Sequence, residues 1–268
     1  MRNYKIPTLT IAGSDSSGGA GVQADLKTFS AIGTYGMSVI TAITAQNTQG
    51  VFLVEDLNEE IIRSQIDVVF EDIEPAAVKI GMVSSPEIIK TIVKTLKKYN
   101  PKYLVVDPVM ISKSGYSLLK PEAKNSLIDE LIPMAYIITP NTLEAEEIAG
   151  IKINSIDDMR EAGEKILSLG PKYVLMKGGH LEGDAVDVLI GENTFEVYKQ
   201  ERLNRKNTHG TGCTLSSAIT SHLALGYDIN EAVKLSKEYI TEAIRHSFDM
   251  GKGVGPVNHF YKFLFLPY

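Results

Sequence analysis

The single cysteine of the chain, Cys213, lies in the segment Asn-Thr-His-Gly-Thr-Gly-Cys-Thr at positions 207–214, just before an apolar-periodic stretch that begins at Leu215. Gly210 and Gly212 permit backbone torsion angles that other residues avoid, so several N–H groups can converge at a helix N-terminus. Such a site binds phosphate, and the helix dipole also favours the thiolate form of a cysteine there. The segment predicts a phosphoryl-transfer centre with Cys213 as its acid–base group. A glycine helix cap beside a small buried cysteine is the alternative.

Charged side chains follow three other apolar runs. Lys177 stands between such a run and two glycines in Met176-Lys-Gly-Gly-His180, a position suited to neutralising a transferred phosphoryl group. A solvated surface lysine is the alternative, and the flanking apolar run and glycines argue against it. Asp107 and Glu144 supply the oxygen ligands that Mg²⁺ prefers, directly or through water. Asn141 and Glu144 also have the spacing of a helix capping box, which would explain both residues structurally.

Three further polar residues have competing interpretations. The amide of Gln46 can donate and accept at once, which suits a heteroaromatic ring with an amine beside a ring nitrogen; a loop cap is the alternative. Asp25, one turn inside a predicted helix, either holds a substrate hydroxyl or amine or complements the helix dipole. His209 precedes Cys213 by four residues, but the surrounding glycines fit phosphate better than the acyl chemistry of a Cys/His pair.

Short β-branched runs alternate with longer helical patterns, which is typical of an α/β fold with a mostly parallel sheet covered by helices. The predicted strands are Pro7–Ala12, Met37–Thr44, Ala76–Ile80, Tyr103–Asp107, Tyr136–Thr139, Tyr173–Met176 and Ala185–Ile190. Val51–Leu57 and Thr194–Arg202 are predicted as extra edge strands, for which an antiparallel direction is one option. Ligands in such sheets bind beyond the carboxyl ends of the strands, where the polar residues above gather. With no linker or repeat, we expect residues 1–268 to form one domain.

Composition excludes several classes of protein. The 268 residues are 44% hydrophobic and 22% charged, as in ordinary globular proteins. The net charge of -6 argues against a nucleic-acid-binding face, and no apolar run approaches the roughly 20 residues needed to cross a bilayer. The short N-terminal apolar run does not resemble a secretory signal, and one cysteine fits a reducing compartment, so we expect a cytoplasmic protein. The glycine-rich stretch Gly13–Gly21 lacks the spacing of a dinucleotide fingerprint.

Nine strings resemble one family, the hydroxymethylpyrimidine and phosphomethylpyrimidine kinases of thiamine biosynthesis, within the ribokinase-like fold. They are Gly13-Ser-Asp-Ser-Ser-Gly-Gly-Ala-Gly21, Gln23-Ala-Asp-Leu-Lys-Thr-Phe29, Ala45-Gln-Asn-Thr48, Lys79-Ile-Gly-Met82, Asp107-Pro-Val-Met110, Thr139-Pro-Asn141, Met176-Lys-Gly-Gly-His180, Thr208-His-Gly-Thr-Gly-Cys-Thr214 and Gly253-Val-Gly-Pro-Val257. The strings cover essentially the whole chain.

The resemblance implies a three-layer α/β/α sandwich, a homodimer, and ATP with Mg²⁺ as the phosphoryl donor. The residues that it assigns are Gly210, Thr211, Gly212 and Cys213 to the anion hole and proton transfer, Gln46, Asp25, Gly13, Met82, Thr44 and Val109 to the pyrimidine, Lys177 and Asn141 to ATP, and Asp107 and Glu144 to the metal. Thr44 departs from the apolar residue that family members often carry at this position, which could alter a pocket wall.

The implied reaction phosphorylates 4-amino-5-hydroxymethyl-2-methylpyrimidine and then its monophosphate. Pyridoxal or pyridoxine kinase activity, alone or in addition, is the enzymatic alternative, because related enzymes use a similar cysteine-containing anion hole. The Gln46 loop and Lys177 favour the pyrimidine. A non-catalytic pyrimidine or nucleotide sensor is a third hypothesis, and joint retention of Lys177, Asp107, Glu144 and Cys213 argues against it.

Overall fold

The computed structural model describes residues 5–112, 115–179 and 183–263. Within these ranges nine strands form one sheet in the order β3-β2-β1-β4-β5-β6-β7-β8-β9. The strands are β1 (Pro7–Asp15), β2 (Tyr35–Asn47), β3 (Gly50–Asp56), β4 (Ala77–Ile80), β5 (Leu104–Val106), β6 (Ile137–Ile138), β7 (Tyr173–Lys177), β8 (Ala185–Gly191) and β9 (Thr194–Gln200). The pairs from β2 through β7 are parallel, whereas β3 at one edge and β8 and β9 at the other pair antiparallel. The prediction of a mostly parallel sheet with antiparallel edge strands is confirmed.

Helices cover both faces of this sheet. They are α1 (Gly21–Ile32), α2 (Glu59–Asp72), α3 (Pro86–Tyr99), α4 (Ala123–Ser126, continued by π and 3₁₀ turns to Met134), α5 (Thr142–Ala149), α6 (Ile156–Leu167), α7 (Thr211–Ala224) and α8 (Ile229–Arg245). Leu104 and Val106 of β5 pack with helices α2 to α6, whereas Val105 packs with α7 and α8. Burial on both faces explains the continuous apolar runs and gives the expected three layers. No helix in the described ranges is long and apolar enough to span a membrane.

Two strands run further than the sequence predicts. We expected β1 to end at Ala12 and β2 at Thr44, but pairing continues past a bulge at Gly13 to join Asp15 to Thr44. A Cβ on Gly13 would lie 2.9 Å from the Met82 sulfur, so a larger residue at this bulge would displace the Met82 side chain. The cross-strand pairing overrides the local turn signals and brings the predicted loop residues to the rim of the sheet.

Helix starts also position the polar residues. Helix α5 has the predicted capping box, in which Asn141 Oδ1 accepts the Glu144 N–H at 2.9 Å and the Glu144 carboxylate accepts the Asn141 N–H at 2.8 Å. Helix α7 begins at Thr211, not at Leu215, with Gly210 as its N-cap at φ 80°. Cys213 therefore belongs to the first turn of the helix, close to its positive end.

Candidate active site

A cleft of about 920 Å³ lies beyond the carboxyl ends of the parallel strands. Thirteen of the fourteen predicted site residues line it: Gly13, Thr44, Gln46, Met82, Asp107, Val109, Asn141, Glu144, Lys177, Gly210, Thr211, Gly212 and Cys213. The exception is Asp25, which is fully buried behind the cleft wall. His180, at the end of the lysine-glycine-glycine string, lies outside the described residues.

The N-terminus of α7 forms the anion-binding end of this cleft. Gly210 has a left-handed φ of 80°, and a Cβ there would lie 1.8 Å from the carbonyl oxygen of Gly19. Thr211, Gly212 and Cys213 occupy the first turn, where backbone N–H groups have no partner within the helix. The contact between Gly19 and Gly210 thus fixes a helix start that presents amide donors to an anion.

The Cys213 side chain is half-buried beside these amides. Burial raises the pKa of its thiol to about 11, while the nearby ammonium of Lys79 acts in the opposite direction. The sequence-based expectation that the helix dipole favours a thiolate is therefore wrong for the resting protein, because desolvation outweighs the favourable charges. The group at the head of α7 is a thiol until its proton is removed.

Three ionisable side chains meet at the ends of β5 and β7 and at the start of α5. Lys177 Nζ lies 2.9 Å from an Asp107 carboxylate oxygen and 4.0 Å from Glu144 Oε2. Thr139 Oγ1 also donates to Asp107, at 3.0 Å. Side chains that are distant in the sequence thus form one charged cluster, as the convergence of strand ends predicts.

This cluster holds one cation between two carboxylates of different character. Although burial opposes it, the ammonium groups of Lys177 and Lys79 hold the pKa of Asp107 below its ordinary value. Burial raises the pKa of Glu144 from 4.5 to about 7. The negative charge of Asp107 raises this pKa further, whereas the positive charge of Lys177 lowers it. Burial would lower the pKa of Lys177, but Asp107 and Glu144 raise it. Lys177 is therefore a permanent cation, and Glu144 changes charge near neutral pH.

Asp25 has structural partners in place of a ligand. Its carboxylate accepts hydrogen bonds from Lys79 Nζ, Ser217 Oγ and Thr10 Oγ1, each at 2.6 Å. Lys79 is fully buried and lines the cleft wall. With these partners the Asp25 carboxylate has no direct path to a substrate, so our prediction of a substrate contact is not supported. Its role in this geometry is to hold Lys79 below Cys213.

Gln46 lines the cleft near the end of β2, beside His209. Its side-chain amide contacts Thr44 Oγ1 at 3.2 Å and His209 Nε2 at 3.4 Å. His209 Nε2 is also 2.9 Å from an Asp15 carboxylate oxygen. His209 therefore belongs to the Gln46 side of the site and does not activate Cys213.

A second buried ion pair, Asp187–Lys237, lies on the Lys177 side. Asp187 Oδ1 accepts the N–H of Gly178 at 3.1 Å, and a Cβ on Gly178 would lie 2.1 Å from the Val186 carbonyl oxygen. These contacts fix the backbone that follows Lys177. Close packing therefore explains the glycine at position 178, whereas Gly179 has open space around it. The predicted approach of this backbone to an anion stays a prediction.

Sequence reasoning missed the buried partners Lys79, Asp15, Asp187 and Lys237. A usable signal existed for Lys79, because a lysine inside the short apolar strand β4 requires a buried counter-charge. Asp187, between the apolar residues of β8, carries the same signal. Nothing local identifies the partner of either residue, since each contact joins distant parts of the chain.

The comparison with known families decides what this site belongs to. A family model described as "Phosphomethylpyrimidine kinase" matches residues 15–258. The chain belongs to this family.

Curated relatives of this phosphomethylpyrimidine kinase family member align with most of the chain. "Hydroxymethylpyrimidine/phosphomethylpyrimidine kinase" from Rhizobium meliloti is 50% identical over 258 residues, covering 95% of this chain and 97% of that protein. "Thiamine biosynthesis bifunctional protein ThiED" from Geobacter sulfurreducens is 48% identical over 252 residues, which are 94% of this chain. The chain spans about half of that longer relative, 51% of its length.

Solved structures agree with the fold. The phosphomethylpyrimidine kinase from Clostridium difficile 630 has a TM-score of 0.81 and 76% identity, covering 89% of this chain and 99% of that one. The ADP complex of Bacillus subtilis pyridoxal kinase has a TM-score of 0.89 and 41% identity, covering 96% and 98%. The three-layer, mostly parallel fold of the ribokinase-like kinases is thus confirmed.

Proposed function

We propose that this protein transfers the γ-phosphoryl group of ATP to the 5-hydroxymethyl oxygen of 4-amino-5-hydroxymethyl-2-methylpyrimidine, and then phosphorylates the monophosphate to the diphosphate, in thiamine biosynthesis. One observation carries the proposal: a helix N-terminus with a thiol in its first turn shares a cleft with an amide-bearing Gln46 and a cation, Lys177. Phosphate, an alcohol and a ring with paired donor and acceptor edges are the ligands that these groups recognise.

In the first transfer the substrate hydroxyl oxygen attacks the γ-phosphorus, its proton passes to the sulfur of the Cys213 thiolate, and the bond from the γ-phosphorus to the ADP oxygen breaks. The amides of Gly212 and Cys213 face the charge that develops on the phosphoryl oxygens, and Lys177 neutralises part of it. Because the resting Cys213 thiol has a pKa of about 11, the reactive thiolate is a minor form whose basicity is correspondingly high.

Mg²⁺ fits this donor set as a metal held largely by nucleotide and water. Within the described residues no group of three or more His, Cys, Asp and Glu side chains has a metal-binding arrangement. Asp107 and Glu144 would supply one or two carboxylate ligands, which is the usual protein share at nucleotide sites. The ion would neutralise phosphate charge. Asn141, the N-cap of α5, would stand beside the nucleotide.

The direct test is ADP release from the purified protein with each candidate alcohol, with the phosphate esters identified by mass. We expect mono- and diphosphate products from the pyrimidine and a loss of roughly 100-fold or more in turnover for Lys177→Met, because its charge acts in the transition state. Lys165→Met, an exposed lysine on α6, is the matched control and should retain activity. No turnover with the pyrimidine would refute the proposal and restore the sensor hypothesis.

Pyridoxal phosphorylation is not favoured as the main activity. The pyridoxal kinase from Bacillus subtilis is 41% identical to this chain, whereas the pyrimidine kinases above reach 50% and 76%. Pyridoxal enters the same assay as the competing substrate. A higher kcat/KM for pyridoxal than for the pyrimidine would reverse the assignment.

A homodimer forms part of the proposal. The exposed face of the β2–β3 hairpin carries Ile43 and Leu53, which are 52% and 64% exposed, and Phe52, 66% exposed, lies next to them. Such an apolar patch on an edge hairpin is typical of a surface that pairs with a second copy. Light scattering should give a dimer mass for the wild type and a monomer mass for Leu53→Lys; a monomeric wild type would contradict the dimer.

Location and domain organisation complete the proposal. A cytoplasmic protein would have ATP at hand and would keep its one cysteine reduced. A single domain is supported by the one sheet to which all nine described strands belong. Cell fractionation tests the first statement, and a single cooperative unfolding transition seen by two probes tests the second.

A further inference from the structure

We propose that the buried Asp15–His209 pair fixes the orientation of the Gln46 side-chain amide, and thereby sets which donor–acceptor order the site accepts on the substrate ring. The inference rests on the proposed function for the identity of the ring. Asp15 and His209 act here as positioning residues, because they work through Gln46.

Asp15 can only accept hydrogen bonds in this structure. Its Oδ1 accepts from the N–H and hydroxyl of Ser17 at 2.8 and 2.7 Å, and its Oδ2 accepts from the N–H groups of Gly19 and Ala20 at 3.1 and 2.8 Å. Burial opposes ionisation, yet these donors and His209 hold the pKa of Asp15 below its ordinary value. An ionised carboxylate has no proton to give.

The proton between Asp15 and His209 must therefore belong to the histidine. His209 Nε2 lies 2.9 Å from Asp15 Oδ2, so Nε2 carries a hydrogen that points to the carboxylate, whatever the state of Nδ1. A protonated ring nitrogen has no lone pair left to accept a hydrogen bond. A donor on Gln46 therefore finds no acceptor at Nε2, whereas an acceptor there can share the Nε2 hydrogen with Asp15.

The other end of the amide leads to the same orientation. Thr44 Oγ1 has one proton and donates it to the Ser14 carbonyl oxygen at 2.8 Å. In the structure Gln46 Nε2 lies 3.4 Å from His209 Nε2, so two donors face each other. Gln46 Oε1 lies 3.2 Å from Thr44 Oγ1 and has to share the one proton of that hydroxyl with the Ser14 carbonyl oxygen. Exchanging the two amide atoms lets the Gln46 NH₂ donate to Thr44 Oγ1 and lets the Gln46 oxygen share the His209 Nε2 hydrogen with Asp15. The network thus assigns the Gln46 oxygen to the His209 side and the Gln46 NH₂ to the Thr44 side.

Packing prevents the imidazole from turning away. A Cβ on Gly19 would lie 2.2 Å from His209 Cδ2, so the Gly19 backbone lies directly against the ring. The backbone N–H of His209 donates to the Gly255 carbonyl oxygen at 3.0 Å. Since His209 is only 9% exposed, its ring orientation is determined by the backbone on both sides.

The consequence for the substrate is a fixed order of donor and acceptor. The anchored Gln46 amide still has one free N–H and one free lone pair on its oxygen, and both can bind a substrate ring. The oxygen lies on the His209 side. A 4-amino group would donate to that oxygen while N3 accepts from the N–H. The ring cannot reverse, because its 5-hydroxymethyl group must face Cys213. A 4-oxo analogue presents an acceptor beside an N–H donor. To bind this ring, the Gln46 amide would have to rotate by half a turn and lose its favourable contacts with His209 and Thr44.

The tautomer is tested directly, without turnover. Histidine labelled with ¹⁵N, observed by long-range ¹H–¹⁵N correlation, should show His209 Nε2 protonated across the neutral pH range, with the His209→Gln spectrum supplying the assignment. An unprotonated Nε2 in the neutral ring would overturn the proposal. This result does not depend on the proposed function.

The specificity is tested by the ratio of kcat/KM for the 4-amino pyrimidine to that for its 4-oxo analogue. His209→Leu removes the donor and should lower this ratio at least about tenfold, mainly through KM for the pyrimidine, since a buried hydrogen-bonded site rejects a mismatched ring far more strongly than a free amide does. His209→Gln restores an N–H at the Nε2 position and should retain most of the discrimination. KM for ATP should not change in either variant.

A ratio that stays constant in folded His209→Leu protein would refute the inference. If that variant does not fold, Thr44→Val removes the opposite anchor without a change in volume and should lower the ratio in the same direction; an unchanged ratio there is equally negative. If the wild type phosphorylates neither ring, the proposed function fails, and the tautomer measurement still decides the orientation.

Discussion

Replacing Glu144 by Gln should make the protein more stable at alkaline pH. Glu144 is 7% exposed and shares Lys177 with Asp107, which lies closer to that ammonium. The buried negative charge of Glu144 is therefore only partly neutralised by Lys177. Glutamine keeps the acceptor for the Asn141 N–H, so the capping box survives the substitution.

The magnitude follows from the pKa of Glu144, which rises from 4.5 to about 7 on folding. The folded state then holds the Glu144 proton more tightly than the unfolded state, so stability is lost as pH rises from about 4.5 to about 7 and stays low above that. A shift of about 2.5 units corresponds to about 3 kcal/mol at most, and the shared Lys177 reduces it. We expect the advantage of Glu144→Gln to grow by about 1–3 kcal/mol between about pH 5 and pH 8.5.

Urea unfolding of the metal-free protein at both pH values measures this difference. Glu161→Gln, on the exposed surface of α6, controls for the loss of one carboxylate. An advantage of Glu144→Gln that is equal at the two pH values would refute the reasoning, because it would show that the Glu144 carboxyl does not titrate differently in the folded state. The same substitution should lower the rate of phosphoryl transfer. A variant that is more stable but less active would show that Glu144 serves catalysis at the expense of stability.

Other substitutions test other parts of the site. Cys213→Ala should lower the first phosphorylation by roughly 100-fold and abolish its rise with pH above about pH 8, where Glu144 is already ionised, since the thiolate fraction grows tenfold per unit below a pKa of about 11. The second phosphorylation should fall much less, because its nucleophile is an already ionised phosphate oxygen; equal losses in product assays would contradict proton transfer to sulfur. Gly210→Ala should prevent stable folding or nucleotide binding, whereas Gly33→Ala, with a similar φ and open space, should cost only about 1–2 kcal/mol in a melting experiment. Lys79→Met should cost about 3–5 kcal/mol, and adding Asp25→Asn should recover part of it in a double-mutant cycle.

Much of the fold could be predicted because its central strands are buried on both faces. The apolar runs at β5 and β7 have no polar alternation to mislead an assignment, and parallel strands bring their carboxyl ends together. The contact between Asp107 and Lys177, separated by 70 residues, follows from that geometry alone. The capping box at Asn141 is a local signal and was equally predictable.

Features that depend on tertiary pairing could not be predicted. The extension of β1 to Asp15 needs β2 as a partner, and the turn residues in between indicate a loop. Asp25 looked like a ligand because its buried partner Lys79 lies 54 residues away. The pKa of Cys213 likewise depends on desolvation, which the sequence of a helix N-terminus does not reveal.

The contact of Gly19 with Gly210 also bears on how the protein folds. It joins the loop after β1 to the start of α7, beside the Asp15–His209 contact between residues 194 positions apart. We expect contacts of such long range to form late, because the loop-closure entropy must be overcome before they contribute. A chain that has assembled its sheet but not docked α7 has strands and no phosphate site. We therefore expect nucleotide to stabilise only the completed fold, so that nucleotide binding during refolding would report the docking of α7.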